Sequence, residues 1–426
     1  MKIDAKPGDY IRLKTKDSAY SGVLMPRPEL ADKDHIILKL DSGYNMGVRL
    51  DGIKSVKKLK RKAKLENFPA RKVKKNAKLP SIDFLGCGGT IASRVDYETG
   101  GVKWAMTPEE IFFTVPELKN IANINSARLL FNIASENMDS SHWAKMAKEV
   151  AKSLNSGAHG VVLMHGTDTM HYSSAALSFM LKDISGPVVF TGAQRSSDRG
   201  SSDSNQNLIC ATHLAAKSEL GEVVVCMHQN PSDDACVAHR GVKVRKMHTS
   251  RRDAFRSINA SPLVRVTPDG EIKKLSGYRK ATPDAKTTAD TKFEDKIALI
   301  KAHPGGDAGV VDYYVDKKFR GIVIEATGLG HAPMSWANSI QRGIESGIAV
   351  VFAPQTLYGR LNPYVYEPAR RMKALGVIYA EDMLPEVAYV KLGWVIGHEL
   401  DPAEEMPKDY VGEISNRTEE GFDVGV

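Results

Sequence analysis

Leu85-Gly86-Cys87-Gly88-Gly89-Thr90-Ile91-Ala92-Ser93 and His165-Gly166-Thr167-Asp168-Thr169 each set a threonine on a tight turn directly after an apolar run. The runs are Ile82-Asp83-Phe84-Leu85 and Gly160-Val161-Val162-Leu163-Met164, the composition expected of buried parallel strands. Open α/β sheets bind ligands beyond the carboxyl ends of their strands, so two such threonines can share one site. The glycines let the backbone turn sharply there.

Spacing argues against the common nucleotide motifs. A dinucleotide fingerprint needs a third Gly or Ala where Ile91 stands, and a P-loop needs a Gly-Lys pair that occurs nowhere in this chain. Hydroxyl chemistry remains. A threonine is a weak nucleophile until a neighbouring base takes its proton, so the fold must recruit a lysine, a tyrosine or a carboxylate from elsewhere. One Gly-Gly-Thr turn alone reads more readily as a capped strand-to-helix connection than as a site; two of them favour a site. Thr90 is the first choice of nucleophile, because it follows the first strand and its preceding glycines admit a substrate carbonyl. Tyr97 lies on the polar stretch 93–101, which ends in Gly100-Gly101. That stretch reads either as a loop that closes and brings a phenol to Thr90 or as a surface loop carrying an idle tyrosine.

At 426 residues, 42% hydrophobic and 26% charged, the chain suits a protein of two or three domains with a large core. No apolar run approaches the roughly 18 residues of a membrane span, and Met1-Lys2-Ile3-Asp4-Ala5-Lys6-Pro7 lacks a signal-peptide core, so the expected location is the cytoplasm, away from membranes. Four cysteines without a Cys-x-x-Cys pair argue for buried thiols and against a disulfide framework or a metal site. The net charge of +8 is concentrated: from Lys54 to Lys78 twelve Lys or Arg face one acid, Glu66, giving +11 and leaving −3 for the rest. This segment reads as a solvated linker or as an electrostatic contact for nucleic acid or an acidic partner. With Phe68 as its one aromatic, it is poorly suited to stacking single-stranded bases.

Residues 1–56 hold four short β-type runs between Gly, Pro, Asp and Ser turns and predict a small β-barrel, an interaction or positioning module. Residues 57–80 form a basic linker. Residues 81–266 alternate strand and helix, which predicts a parallel α/β lobe. Residues 267–292, rich in Pro, Asp, Lys and Thr, read as an interlobe connection, and 293–426 as a second α/β lobe with a helix from about Met334 to Glu345.

The paired motifs resemble those of the bacterial-type L-asparaginases, in which Gly-Gly-Thr-Ile carries the nucleophile and His-Gly-Thr-Asp-Thr a second threonine and an aspartate. Further matches are Ile133 to Met138, Thr191-Gly192-Ala193-Gln194-Arg195, Asp203 to Leu208 and Thr327-Gly328-Leu329-Gly330-His331. The resemblance covers about residues 80–415 and implies the asparaginase-like two-lobed fold. It implies Thr90 as nucleophile assisted by Tyr97, and a second triad of Thr167, Asp168 and Lys246. Lys246 matches the family's lysine segment by standing nine residues before Phe255; Lys243 is its rival. Asp168 would bind a substrate ammonium and Ser135 its α-carboxylate. Glu136 stands where asparaginases usually carry glutamine, and would either take the ammonium itself or shift preference toward the longer glutamine. Cys87 and His331 also depart from common family residues.

With some 80 residues before the first motif, the chain is similar to one branch of that family, the D subunits of archaeal glutamyl-tRNA(Gln) amidotransferases. That resemblance implies a glutaminase with no cofactor of its own, paired with an E subunit that uses ATP and Mg and acts on tRNA(Gln), as a homodimer within a heterotetramer. The alternatives are a stand-alone L-asparaginase and a non-catalytic tRNA-binding scaffold.

Overall fold

The structure, a computed structural model, describes residues 4–26, 34–41, 45–62, 75–89, 91, 93–95, 102–104, 111, 115–195 and 201–418. Thr90, Tyr97 and most of the basic linker lie outside the described residues.

The N-terminal module is a five-stranded antiparallel sheet of Asp9–Lys14, Ala19–Leu24, His35–Leu40, Asn45–Arg49 and Ser55–Lys62. Its first strand lies between the second and the fifth, so the two ends of the module meet side by side. Ile11, Leu13, Leu24, Leu38, Val48 and Ile53 form its own core. The sequence boundary at residue 56 is corrected here: the fifth strand continues to Lys62, into the stretch read as linker. Lysines hid it because a charged strand at a sheet edge carries little apolar signal, and such charge protects an edge from unwanted pairing.

The large lobe is built on an eight-stranded sheet in the order Ile272–Lys274, Val264–Val266, Cys236–Arg240, Val223–His228, Val188–Thr191, Gly160–His165, Ser81–Cys87 and Asn123–Phe131. The last five are mutually parallel, as the apolar runs predict. Two corrections follow. The other three strands are antiparallel additions at one edge. One of them, Ile272–Lys274, lies in the stretch read as a connection, so the lobe extends beyond residue 266. Helix Ser140–Asn155 starts at an Asp139 capping box, in which the Asp139 carboxylate accepts from the Ser141 and His142 amides. It buries Trp143, Met146, Ala147, Val150 and Leu154 on one stripe, the spacing of a helix packed on a sheet.

The second lobe has four parallel strands, Ile297–Lys301, Gly321–Ala326, Ala349–Pro354 and Ile378–Tyr379. The expected helix is present as a short 3₁₀ turn, Met334–Trp336, running into helix Ala337–Glu345. Helix Pro385–Gly397 is buried along nearly its whole length. A helix this predominantly apolar belongs inside a core, and this one joins the lobes: Val387, Val390 and Leu392 share one cluster with Leu163, Leu177 and Phe179 of the first lobe. The four cysteines are free, buried thiols.

Candidate active site

Strands Ser81–Cys87 and Gly160–His165 are adjacent and parallel, with Cys87 opposite His165. The two motif turns therefore leave the sheet side by side. Gly88 and Gly89 take φ of +94° and +85°, a region that strains any other residue. Space is equally restrictive: a Cβ on Gly88 would lie 2.1 Å from the Ile133 carbonyl oxygen, and one on Gly89 2.8 Å from the Gly166 amide. Gly166 in turn abuts Ser135, whose Cβ would sit 2.8 Å from a side chain there. Three segments thus converge at the carboxyl end of the sheet. Thr90 follows Gly89 in sequence and precedes Ile91, which is buried.

The structure brings Thr167, Asp168 and Lys246 together. Lys246 Nζ donates to Thr167 Oγ1 at 2.9 Å and to Asp168 Oδ1 at 2.6 Å. The lysine side chain is 9% exposed and the aspartate 70%, so the amine sits beneath a carboxylate open to solvent. The nine-residue spacing now has a structural cause. Strand Val244–Lys246 forms a hairpin with Phe255–Ser257, and Lys246 lies opposite the buried Phe255. Lys243 is elsewhere: its Nζ meets Asp382 Oδ2 of the second lobe at 2.7 Å, and burial lowers its pKa.

Ser135 begins a 3₁₀ turn, Ser135–Asn137, and is tied to the second motif from both sides. Its Oγ accepts from the Thr169 amide at 3.4 Å, and its carbonyl accepts from Thr169 Oγ1 at 2.7 Å. Glu136, next along, is exposed. Both line a cavity of about 280 Å³ between the lobes, with Thr169, Tyr172, Leu299 and Tyr389 among its walls.

Support from behind was not assigned from sequence. A Cβ on Gly192 would come 2.8 Å from Thr167 Cγ2, so the Thr191-Gly192-Ala193 segment packs directly against the second motif. Asn207 donates to the Gly192 carbonyl at 2.9 Å. The Asp203 carboxylate accepts from the Gln194 and Arg195 amides at 3.0 and 2.9 Å and from Asn207 at 3.0 Å. The signal was in view, an Asp and an Asn four residues apart at the start of a helix, but its partners lie on another loop. His165 is buried, and burial lowers its pKa to about 4, so the motif histidine is neutral at physiological pH and packs edge-on against Phe190. Among the described residues no group of three or more His, Cys, Asp or Glu could hold a metal ion. Among them also, no helix is long and apolar enough to cross a membrane.

The two lobes match two family profiles, "Asparaginase, N-terminal" over residues 81–277 and "Glutaminase/Asparaginase C-terminal domain" over 296–406. The thermostable L-asparaginase of Thermococcus kodakarensis superposes with a TM-score of 0.71 at 29% identity, covering 79% of this chain and 100% of that one. Lobes and cleft therefore define an enzyme of the asparaginase fold class. The N-terminal module matches the "GatD N-terminal domain" over residues 5–59. The D subunit of the glutamyl-tRNA(Gln) amidotransferase of Pyrococcus furiosus is 51% identical over 420 residues, 96% of this chain and 95% of that one. Its counterpart in Methanothermobacter thermautotrophicus is 47% identical over 415 residues, 96% and 94%. The chain belongs to the family of glutamyl-tRNA(Gln) amidotransferase D subunits.

Proposed function

We propose that this chain is the glutaminase subunit of a glutamyl-tRNA(Gln) amidotransferase, releasing ammonia from glutamine at the cleft between its lobes. The observation that carries the reading is Lys246 Nζ, hydrogen-bonded to both Thr167 Oγ1 and Asp168 Oδ1 next to the Gly88-Gly89 turn. Ser135 binds the substrate α-carboxylate and Asp168 its ammonium; Glu136, exposed on the same turn, adjusts the choice between glutamine and asparagine. Thr90 Oγ attacks the carboxamide carbon with help from Tyr97, and backbone N–H groups near Gly89 or Thr167 stabilise the oxyanion. The C–N bond breaks, and the nitrogen takes up a proton and leaves as ammonia. Water, activated by the Thr167-Asp168-Lys246 group, then hydrolyses the acyl-Thr90 ester to glutamate.

Ammonia passes to a partner E subunit, which activates the glutamate of Glu-tRNA(Gln) with ATP and Mg²⁺. This chain supplies no cofactor. The N-terminal module and the basic segment after it serve assembly or tRNA contact, and the complex is a cytoplasmic heterotetramer built on a homodimer of this chain. A glutaminase assay with and without the partner and charged tRNA tests the reading. Ammonia release that rises when partner and charged tRNA are present supports it. Hydrolysis of asparagine with no response to either would make the chain a stand-alone asparaginase.

A further inference from the structure

Helix Pro385–Gly397 carries only two charged residues, Glu386 and Lys391, and both are buried. Lys391 is answered within the second lobe by Glu413 at 2.7 Å, a pair with both side chains fully enclosed. Glu386 instead reaches across to the first lobe. Its Oε1 lies 3.1 Å from Arg245 Nε and 3.6 Å from His171 Nε2.

Those two partners hold significant positions in the chain. Arg245 immediately precedes Lys246 on the same strand. His171 is the second residue of helix Met170–Met180, which begins where the Thr167-Asp168-Thr169 turn ends. One carboxylate therefore grips both segments whose side chains must meet. Neighbouring side chains on a strand project to opposite faces, so holding Arg245 on one face fixes how Lys246 is presented on the other. A second tie runs alongside: Tyr389, one turn further along the helix, meets Tyr172 edge to face with ring centres 6.2 Å apart.

The carboxylate is not there because it is a cheap way to fill a core. Burial pushes its pKa up, but His171 and Arg245 outweigh that and hold it below the ordinary glutamate value, so it is ionised. The first turn of the helix adds a favourable dipole. Even so, Glu386 Oε2 and His171 Nδ1 are buried with no hydrogen-bond partner. A half-satisfied buried ion pair stabilises a fold less than packed apolar residues would, which points to a role other than stability.

We propose that Glu386 is a positioning residue: from the second lobe it clamps the Lys246 strand to the Thr167-Asp168 turn, so that packing between the lobes sets the distances within the triad. The inference rests on the reading of that triad as catalytic. Loss of the clamp would change the rate of the chemical steps more than the grip on substrate, which Asp168 shares with Ser135, a residue the clamp does not touch.

The experiment is steady-state ammonia release from glutamine by the full-length chain assembled with its partner subunit, with kcat normalised to folded protein. Glu386→Gln, Arg245→Met and the double variant are compared with Glu413→Gln, which breaks a still more deeply buried pair that does not touch the triad. Displacements of about 1 Å at an active site can cost up to about 100-fold. We expect Glu386→Gln to lower kcat about 10- to 100-fold with KM within about threefold. Arg245→Met should act in the same direction, and the double variant should be little worse than the more damaging single one, because both break one link. Glu413→Gln should lower the melting temperature and keep kcat. Should Glu386→Gln not fold, Arg245→Met alone carries the comparison. Unchanged kcat in Glu386→Gln or Arg245→Met, or an equal loss in Glu413→Gln, overturns the proposal. Lys246→Met run in parallel separates the failures: if it too keeps full activity, the triad reading itself is wrong.

Discussion

Lys243 and Lys246 stand three residues apart on one hairpin, yet they belong to different regions with different physics. Lys243 enters the core between the lobes, 2% exposed, and finds one partner, Asp382. Lys246 enters the cleft and finds two, a hydroxyl and a carboxylate that is itself 70% exposed. A buried charge with a single buried partner can only hold two pieces of chain together. An amine shared between a hydroxyl and a solvent-facing carboxylate can move protons. On the function proposed above, the same side chain is thus a pin in one region and a reagent in the other, and its neighbours decide which.

The comparison is broken most severely from the cleft side. Thr90→Ala should reduce ammonia release from glutamine by more than about 10³-fold while leaving the melting temperature nearly unchanged, since only a hydroxyl and a methyl are removed. Residual activity above about one-thousandth of wild type would move the nucleophile to Thr167.

From the core side, Lys243→Met should cost stability. It removes the 2.7 Å partner of Asp382 and leaves that buried carboxylate only Arg360 at 3.7 Å and the Ser415 amide at 3.0 Å, so the cost should approach, without exceeding, the about 3–5 kcal/mol of a fully broken buried pair. Urea unfolding of the variant measures this; a loss below about 1 kcal/mol would mean the pair is no pin.

A smaller effect separates the motif histidine from the chemistry. Burial holds His165 at about 4 and His239 at about 3, both below the ordinary 6.5. Below pH 6.5 the unfolded chain binds protons that the folded chain refuses, so this stability is fully present above about 6.5 and falls as pH drops toward 4. Each histidine should contribute a slope of about 1.4 kcal/mol per pH unit. Unfolding free energies at pH 7 and 5.5 check it, and His165→Asn should remove its share of the slope. An unchanged slope in that variant would mean that His165 is protonated in the folded state.

The smallest intrinsic effect is expected from removing residues 1–78. The N-terminal sheet has a core of its own, separate from those of the lobes, so the remainder should fold and retain glutaminase activity. Its binding to charged tRNA, in the complex, should lose salt dependence relative to the intact protein. Equal salt slopes would leave the basic segment a spacer.

Much of this was legible in the sequence for definite reasons. Buried parallel strands are continuous apolar runs, so Ser81–Cys87 and Gly160–His165 announced themselves, and the glycines after them marked turns at the end of the sheet where sites form. The resemblance to the family's lysine segment pointed to Lys246, and the hairpin register that sets it opposite Phe255 gives the nine-residue spacing its structural cause. Strand direction was not legible: Cys236–Arg240 and Val264–Val266 look like their parallel neighbours, and only the chain reversal makes them antiparallel. The strand Ser55–Lys62 was masked by its own lysines. Glu386 could not be found at all, because its partners are more than a hundred residues away in sequence and nothing local distinguishes a helix-start glutamate on the surface from one in a core.

The central claim, that the cleft lysine is the reagent and the core lysine the pin, is tested most directly by ammonia release from glutamine in Lys246→Met and Lys243→Met, each normalised to folded protein. General-base contributions are commonly about 10²-fold or more, so Lys246→Met should lose at least that while unfolding at the wild-type temperature. Folded Lys243→Met should turn over within a few-fold of wild type. If Lys246→Met keeps wild-type turnover, or folded Lys243→Met loses as much as Lys246→Met, the account is contradicted.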